Sequence, residues 1–202
     1  MSFFQVGSIA IPTIWIAAFV ALFIAAMFNR IVTGKKAGDW YWNGFFYYFI
    51  LWKLSYVVFN LNLFLDMPMS ILYFNGGTKG HIFALVILSI YMLIFASKRF
   101  PFLYEESVRL FLLYFISYKV IIGFLEKNNF EILIHLVLLS IFLFLEKGRK
   151  TQVSGQLFLL FILLELLIIS SFGSILSLES VTIIWMGLIA IILGIRADKE
   201  AI

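Results

Sequence analysis

Three charged side chains interrupt apolar runs of this chain: Lys53, Lys119 and Glu165. A charge at the centre of a membrane-spanning helix costs about 2.5–3.5 kcal/mol on insertion scales, so each needs a partner or a task. Two histidines accompany them. His81 opens one apolar run and His135 lies four residues into another, while Tyr56, Ser117 and Tyr118 stand close in sequence to the lysines. Two cations, a carboxylate and an imidazole at similar depth suit the binding of an anionic headgroup. In that reading Lys53 and Lys119 with Tyr56 hold the headgroup, and Glu165 is the charge partner of a lysine. The plainer reading is a Lys–Glu pair that neutralises itself and locks the bundle, with the second lysine snorkelling toward the surface. His135 alone reads as a capped or interfacial histidine.

Other chemistries are set aside by residue type. With no cysteine in 202 residues, disulfides, thiolate metal sites and cysteine nucleophiles are excluded. Two histidines without a nearby carboxylate cluster make a poor metal site, so neither metal nor cofactor is expected. Glu105-Glu106-Ser107-Val108-Arg109 is similar to the paired-glutamate motif of intramembrane CAAX-type proteases. Its spacing is one residue short, however, and the downstream histidines are missing. A Glu pair at a helix start is ordinarily a first turn complementing the helix dipole. Gly76-Gly77-Thr78-Lys79-Gly80 lacks the spacing of a phosphate loop. The last apolar run has no lysine for a retinal Schiff base. The basic loop clusters follow membrane topology, so nucleic acid is not an expected partner.

The elements that must position these residues are membrane spans. The chain is 63% apolar and 13% charged, against roughly 45–50% and about 25% in soluble domains. A crossing takes about 20 apolar residues, and seven stretches qualify: 8–28, 40–60, 81–97, 109–125, 131–146, 156–176 and 181–195. They predict an all-α bundle of seven transmembrane helices forming a single domain, 1–202, with no room for an attached soluble catalytic domain. The third, fifth and seventh stretches are short for a full crossing. Basic residues cluster in alternate loops: Arg30, Lys35 and Lys36; Lys98 and Arg99; Lys147, Arg149 and Lys150; then Arg196 and Lys199. The positive-inside rule therefore puts the N-terminus outside and the C-terminus in the cytoplasm. Lys53, Lys119 and Glu165 then lie at or just beyond mid-membrane, toward the outer face. Leu61–Gly80 is the one long external connection, and its apolar Ile71, Leu72, Tyr73 and Phe74 predict a half-buried or surface-lying piece of chain.

Three segments carry a family likeness: Val6-Gly7-Ser8-Ile9-Ala10-Ile11-Pro12, Trp52-Lys53-Leu54-Ser55-Tyr56-Val57-Val58-Phe59, and Pro68 through Gly76-Gly77-Thr78-Lys79-Gly80-His81. In order and spacing they resemble the opening Ile-Gly-Pro run, the Gly-Arg-Leu-Gly-Tyr-Val-Leu-Phe segment and the Gly-Gly-Met-Ser-Phe-His stretch of the prolipoprotein diacylglyceryl transferase family. The resemblance covers about residues 4–90. It places His81 on the family's essential histidine and Lys53 where the family has arginine. In the second half the family's Gly-Arg-x-Gly-Asn-Phe-x-Asn-Gly-Glu is matched loosely by Tyr118-Lys119 through Gly123-Phe124-Leu125-Glu126, which makes Glu126 a further charge partner. Lysine again replaces arginine. Around Leu164-Glu165-Leu166 the family's arginines are absent. Arginine holds phosphate with a planar fork and lysine with a point charge, so the exchange is not neutral.

The resemblance implies a bacterial cytoplasmic-membrane protein that binds a phosphatidylglycerol-like phospholipid and transfers a diacylglyceryl group to a prolipoprotein or small acceptor. His81 would be its base and Lys53 and Lys119 its cations. Two readings from other classes stand beside it: a catalytically degenerate lipid- or partner-binding membrane subunit, and a small transporter using an intramembrane Lys/Glu relay.

Overall fold

The computed structural model describes residues 3–6, 9–147, 153–174 and 176–200. Gly7, Ser8, Arg149 and Lys150, used above for the family likeness and the topology, lie outside them. The chain opens with an antiparallel pair, β1 (Phe3–Val6) and β2 (Ile9–Pro12), in which Phe3 faces Pro12 and Phe4 faces Ile11. It then becomes all-helical. In order come α1 (Thr13–Thr33), α2 (Asp39–Phe59), α3 (Leu61–Asp66), α4 (Ser70–Tyr73), α5 (Gly77–Ile90), a π-helical turn (Tyr91–Ala96) that continues into α6 (Ser97–Arg99), α7 (Leu103–Glu126), α8 (Asn129–Glu146), α9 (Gly155–Phe172) and α10 (Leu178–Glu200).

Among the described residues, six helices are long and apolar enough to cross a membrane: Thr13–Thr33, Gly77–Arg99, Leu103–Glu126, Asn129–Glu146, Gly155–Phe172 and Leu178–Arg196. This is the make-up of a multi-pass membrane protein. Large apolar side chains line the helix exteriors, among them Phe95, Phe124, Phe144, Leu163 and Leu167, a surface suited to hydrocarbon and not to water. The aromatic-rich α2 is as long as α1 but is not among these six.

Several boundaries move relative to the sequence expectation: α7 begins six residues early at Leu103, α9 ends at Phe172, α10 begins at Leu178, and the first and third spans shift at both ends. The first helix starts at Thr13, five residues beyond Ser8, because Pro12 has no N–H to donate and holds the residue before it extended. It runs on past Phe28 to Thr33 and stops at Gly34, whose φ of 73° lets its N–H bond back to the Arg30 carbonyl at 2.8 Å. The expected short third span is also longer than its apolar run, because Gly77–Gly80 form its first turn and Lys98–Arg99 its last.

The chain clusters into two compact units. The first, residues 1–37 and 104–191, is built on a core of Leu112, Leu113, Ile116, Phe142, Phe158 and Phe161, with the Phe142 and Phe161 rings edge-on at 5.1 Å. The second, residues 38–103 and 192–202, is dominated by α2 against α5. There Gly44 lets Leu88 approach, and the Tyr47 and Tyr91 rings meet at 4.9 Å.

Candidate functional site

In the second unit α2 presents a stripe at helical spacing, Tyr48, Trp52, Ser55 and Tyr56, that fastens the chain between Met69 and His81. Tyr48 Oη and His81 Nδ1 lie 2.5 Å apart. Trp52 Nε1 donates to the Gly77 carbonyl at 3.3 Å, and Gly76 N–H donates to the Trp52 carbonyl at 3.1 Å. Tyr56 Oη donates to Ser70 Oγ at 3.1 Å, and its ring stacks on Phe74. Gly76 and Gly80 both rest on Ser55, where a Cβ on either would overlap the serine side chain. Small residues are therefore required at both positions for the α5 N-terminus to sit against α2. The intervening α3 and α4 leave Leu61, Leu63, Leu65, Met67, Met69 and Tyr73 exposed, a surface-lying apolar segment.

This geometry sorts the expected residues. His81 is half-buried and oriented by a phenol. Tyr56 is buried, and its hydroxyl is committed to Ser70, so it fastens α4. Lys53 is partly exposed on α2. At 100° per residue it stands about 140° around the helix from Tyr48 and about 60° from Tyr56. Beside the same stripe lies an apolar groove of about 300 Å³ lined by Tyr47, Ile50, Leu51, Ile87, Tyr91 and Phe95. It borders the π-helical turn, where the freed Leu93 carbonyl accepts from Ser97 Oγ and from Arg196 Nη1, each at 2.9 Å.

The first unit holds a second set of polar residues. Lys119 Nζ lies 2.7 Å from Glu131 Oε1 and 3.3 Å from Glu179 Oε2. Asn128 caps α8 by accepting from Glu131 N–H, and its own amide donates to Glu131 Oε2 at 3.0 Å, which steadies that carboxylate. Glu165 was expected to partner a lysine, but it faces His135 instead, with Oε2 3.4 Å from Nε2. His135 is fully buried, and its Nδ1 lies 2.7 Å from the Glu131 carbonyl. Glu126 is exposed at the end of α7. At the other end of the same helix pair, Arg109 Nε donates to Glu146 Oε2 at 3.0 Å, both groups buried.

The residues that the sequence reading missed are therefore Glu131, Glu179, Tyr48, Arg109 and Glu146. With two carboxylates on its ammonium, Lys119 is already neutralised. Compared with family models, curated proteins and solved structures, the chain matches none.

Proposed function

We propose that this is a seven-span protein of the bacterial cytoplasmic membrane, N-terminus outside, that binds an anionic phospholipid of the phosphatidylglycerol type at the outer end of α2 and α5. The proposal extends to transfer of the diacylglyceryl group to the thiol or hydroxyl of a protein or small acceptor: the new bond forms at the diacylglyceryl carbon as its bond to the phosphate oxygen breaks, and glycerol phosphate leaves. The observation that carries the reading is the Tyr48–His81 pair, a phenol directly against an imidazole, on a helix that also holds a surface-lying apolar segment through Tyr56 and lines an apolar groove through Tyr47, Ile50 and Leu51. With Nδ1–H donated to Tyr48 Oη, the lone pair of His81 resides on Nε2, the atom that would take the proton of an incoming thiol or hydroxyl. Lys53 supplies a cation on the same helix. The groove at Tyr47, Leu51 and Phe95 is a seat for an acyl chain. The order of motifs between residues 4 and 90 supports the same reading.

Expression in cells depleted of the diacylglyceryl transferase tests the reaction. Prolipoprotein should gain the lipid with the wild-type chain and stay bare with His81→Gln. Bare prolipoprotein with the wild-type chain present in the membrane would end the transferase reading. The binding reading stands on a separate assay, retention of phosphatidylglycerol over phosphatidylcholine by purified protein. Tyr48→Phe and Lys53→Gln should each lower that retention, and equal retention of both lipids would end the headgroup assignment.

A further inference from the structure

His135 and Glu165 meet under conditions that two bare side chains cannot satisfy. A peptide carbonyl only accepts, so the 2.7 Å contact between His135 Nδ1 and the Glu131 carbonyl requires the proton to be on Nδ1. Nε2 of a neutral His135 is then an unprotonated lone pair, and it points at Glu165 Oε2 from 3.4 Å. Among the described residues neither that nitrogen nor either Glu165 oxygen has a hydrogen-bond partner, and the two residues are 0% and 1% exposed. A bare carboxylate facing a lone pair in so dry a place is strongly unfavourable. One proton removes the conflict, either as imidazolium Nε2–H donating to carboxylate or as carboxyl O–H donating to Nε2. Either form makes a charge-assisted or neutral hydrogen bond where none exists without it.

The surroundings carry an excess of negative charge. The charged groups of the same unit are Lys119 on α7, Glu131 one turn before His135 on α8, and Glu179 on α10, whose charge acts on Glu165. With His135 neutral and Glu165 ionised, one ammonium stands among three carboxylates, a net charge of −2; one added proton brings it to −1. Side-chain exposure falls along the group from 28% at Glu179 through 11% at Glu131 and 7% at Lys119 to 2% at Glu165 and 0% at His135. This gradient starts at the end of the bundle where α7 turns into α8 and α9 into α10.

We propose that His135 and Glu165 are a proton-binding site inside the bundle, holding one proton between Nε2 and the carboxylate. The proton is drawn from water at the face carrying the α7–α8 and α9–α10 connections. The site is independent of the lipid reading and uses none of its residues in the second unit.

The test is histidine ¹⁵N magnetic resonance of the whole protein in lipid bilayers, combined with infrared spectroscopy of its carboxyl groups. The chain has two histidines, so His81→Gln leaves the His135 signals alone. The expected result near neutral pH is a protonated Nδ1 together with one of two signatures. Either Nε2 is also protonated, or a carboxylic-acid absorption is present that vanishes in Glu165→Gln. If the glutamine variant does not fold, Glu165→Asp keeps the acid and should shift that absorption. A bare Nε2 in a protein whose acid absorption is absent, or is unmoved by either variant, overturns the proposal. So does a bare Nδ1.

Discussion

Replacing Lys119 by methionine keeps the side chain's volume and removes the ammonium that Glu131 and Glu179 face. Taking 332/(εr) with an effective dielectric of about 20, the 2.7 and 3.3 Å separations give gross attractions of about 6 and about 5 kcal/mol. Most of this is offset by the cost of bringing all three groups out of water. The loss on deleting one partner is set by the carboxylates left behind, about 3–5 kcal/mol for a buried pair. Reversible unfolding in lipid–detergent mixtures, followed through tryptophan fluorescence, measures it. Adding Glu131→Gln should recover more than adding Glu179→Gln, since Glu131 is the closer and the less exposed of the two. It also keeps an oxygen for Asn128 to bond. A loss below about 1 kcal/mol for Lys119→Met, the range of solvent-exposed pairs, would show that water reaches the triad and would refute this account of its energetics.

Two further outcomes follow from the same packing. Arg109→Met or Glu146→Gln alone should lower unfolding stability by about 3–5 kcal/mol, because each strands a buried charge. The double replacement Arg109→Met with Glu146→Leu should return to within about 1 kcal/mol of the wild-type protein, and additivity of the single losses would refute the pairing. Gly80→Ala should cost about 1–3 kcal/mol through overpacking against Ser55 and the Trp52 carbonyl. Gly155→Ala, where a Cβ meets nothing within 4 Å, is the control, and equal effects of the two in the same unfolding assay would refute the close approach of α5 to α2.

The helices were legible because an apolar run of bilayer length leaves few alternatives, and Gly34 and Pro12 carry boundary signals in their own chemistry. The polar partners were less so. Glu131 and Glu179 each stand in the first turn of a helix, where an acid is already accounted for by the helix dipole. The spacing of 60 residues between Lys119 and Glu179 gives no hint that α10 returns beside α7. Lys119 and Glu165 share a depth, yet depth along a helix does not say which neighbour a side chain faces. One pairing was within reach. Arg109 stands 17 residues before the end of α7 at Glu126, and Glu146 stands 17 residues after the start of α8 at Asn129. In a tightly connected antiparallel helix pair equal offsets mean equal height, so these two opposite charges had to meet or stay unpaired.

The same accounting separates structural charge from chemical charge. Arg109 and Glu146 form a buried one-to-one pair at one end of the hairpin. At the other end Lys119 answers two carboxylates, and Glu165 is left to a histidine that can neutralise it only by acquiring a proton. An excess of buried acid is held only if something positive is supplied from outside the chain. An anionic phosphate would deepen that excess, and a proton relieves it. The first unit is thus built to take up positive charge. The headgroup proposal rests on residues of the second unit, Lys53 and the Tyr48–His81 pair.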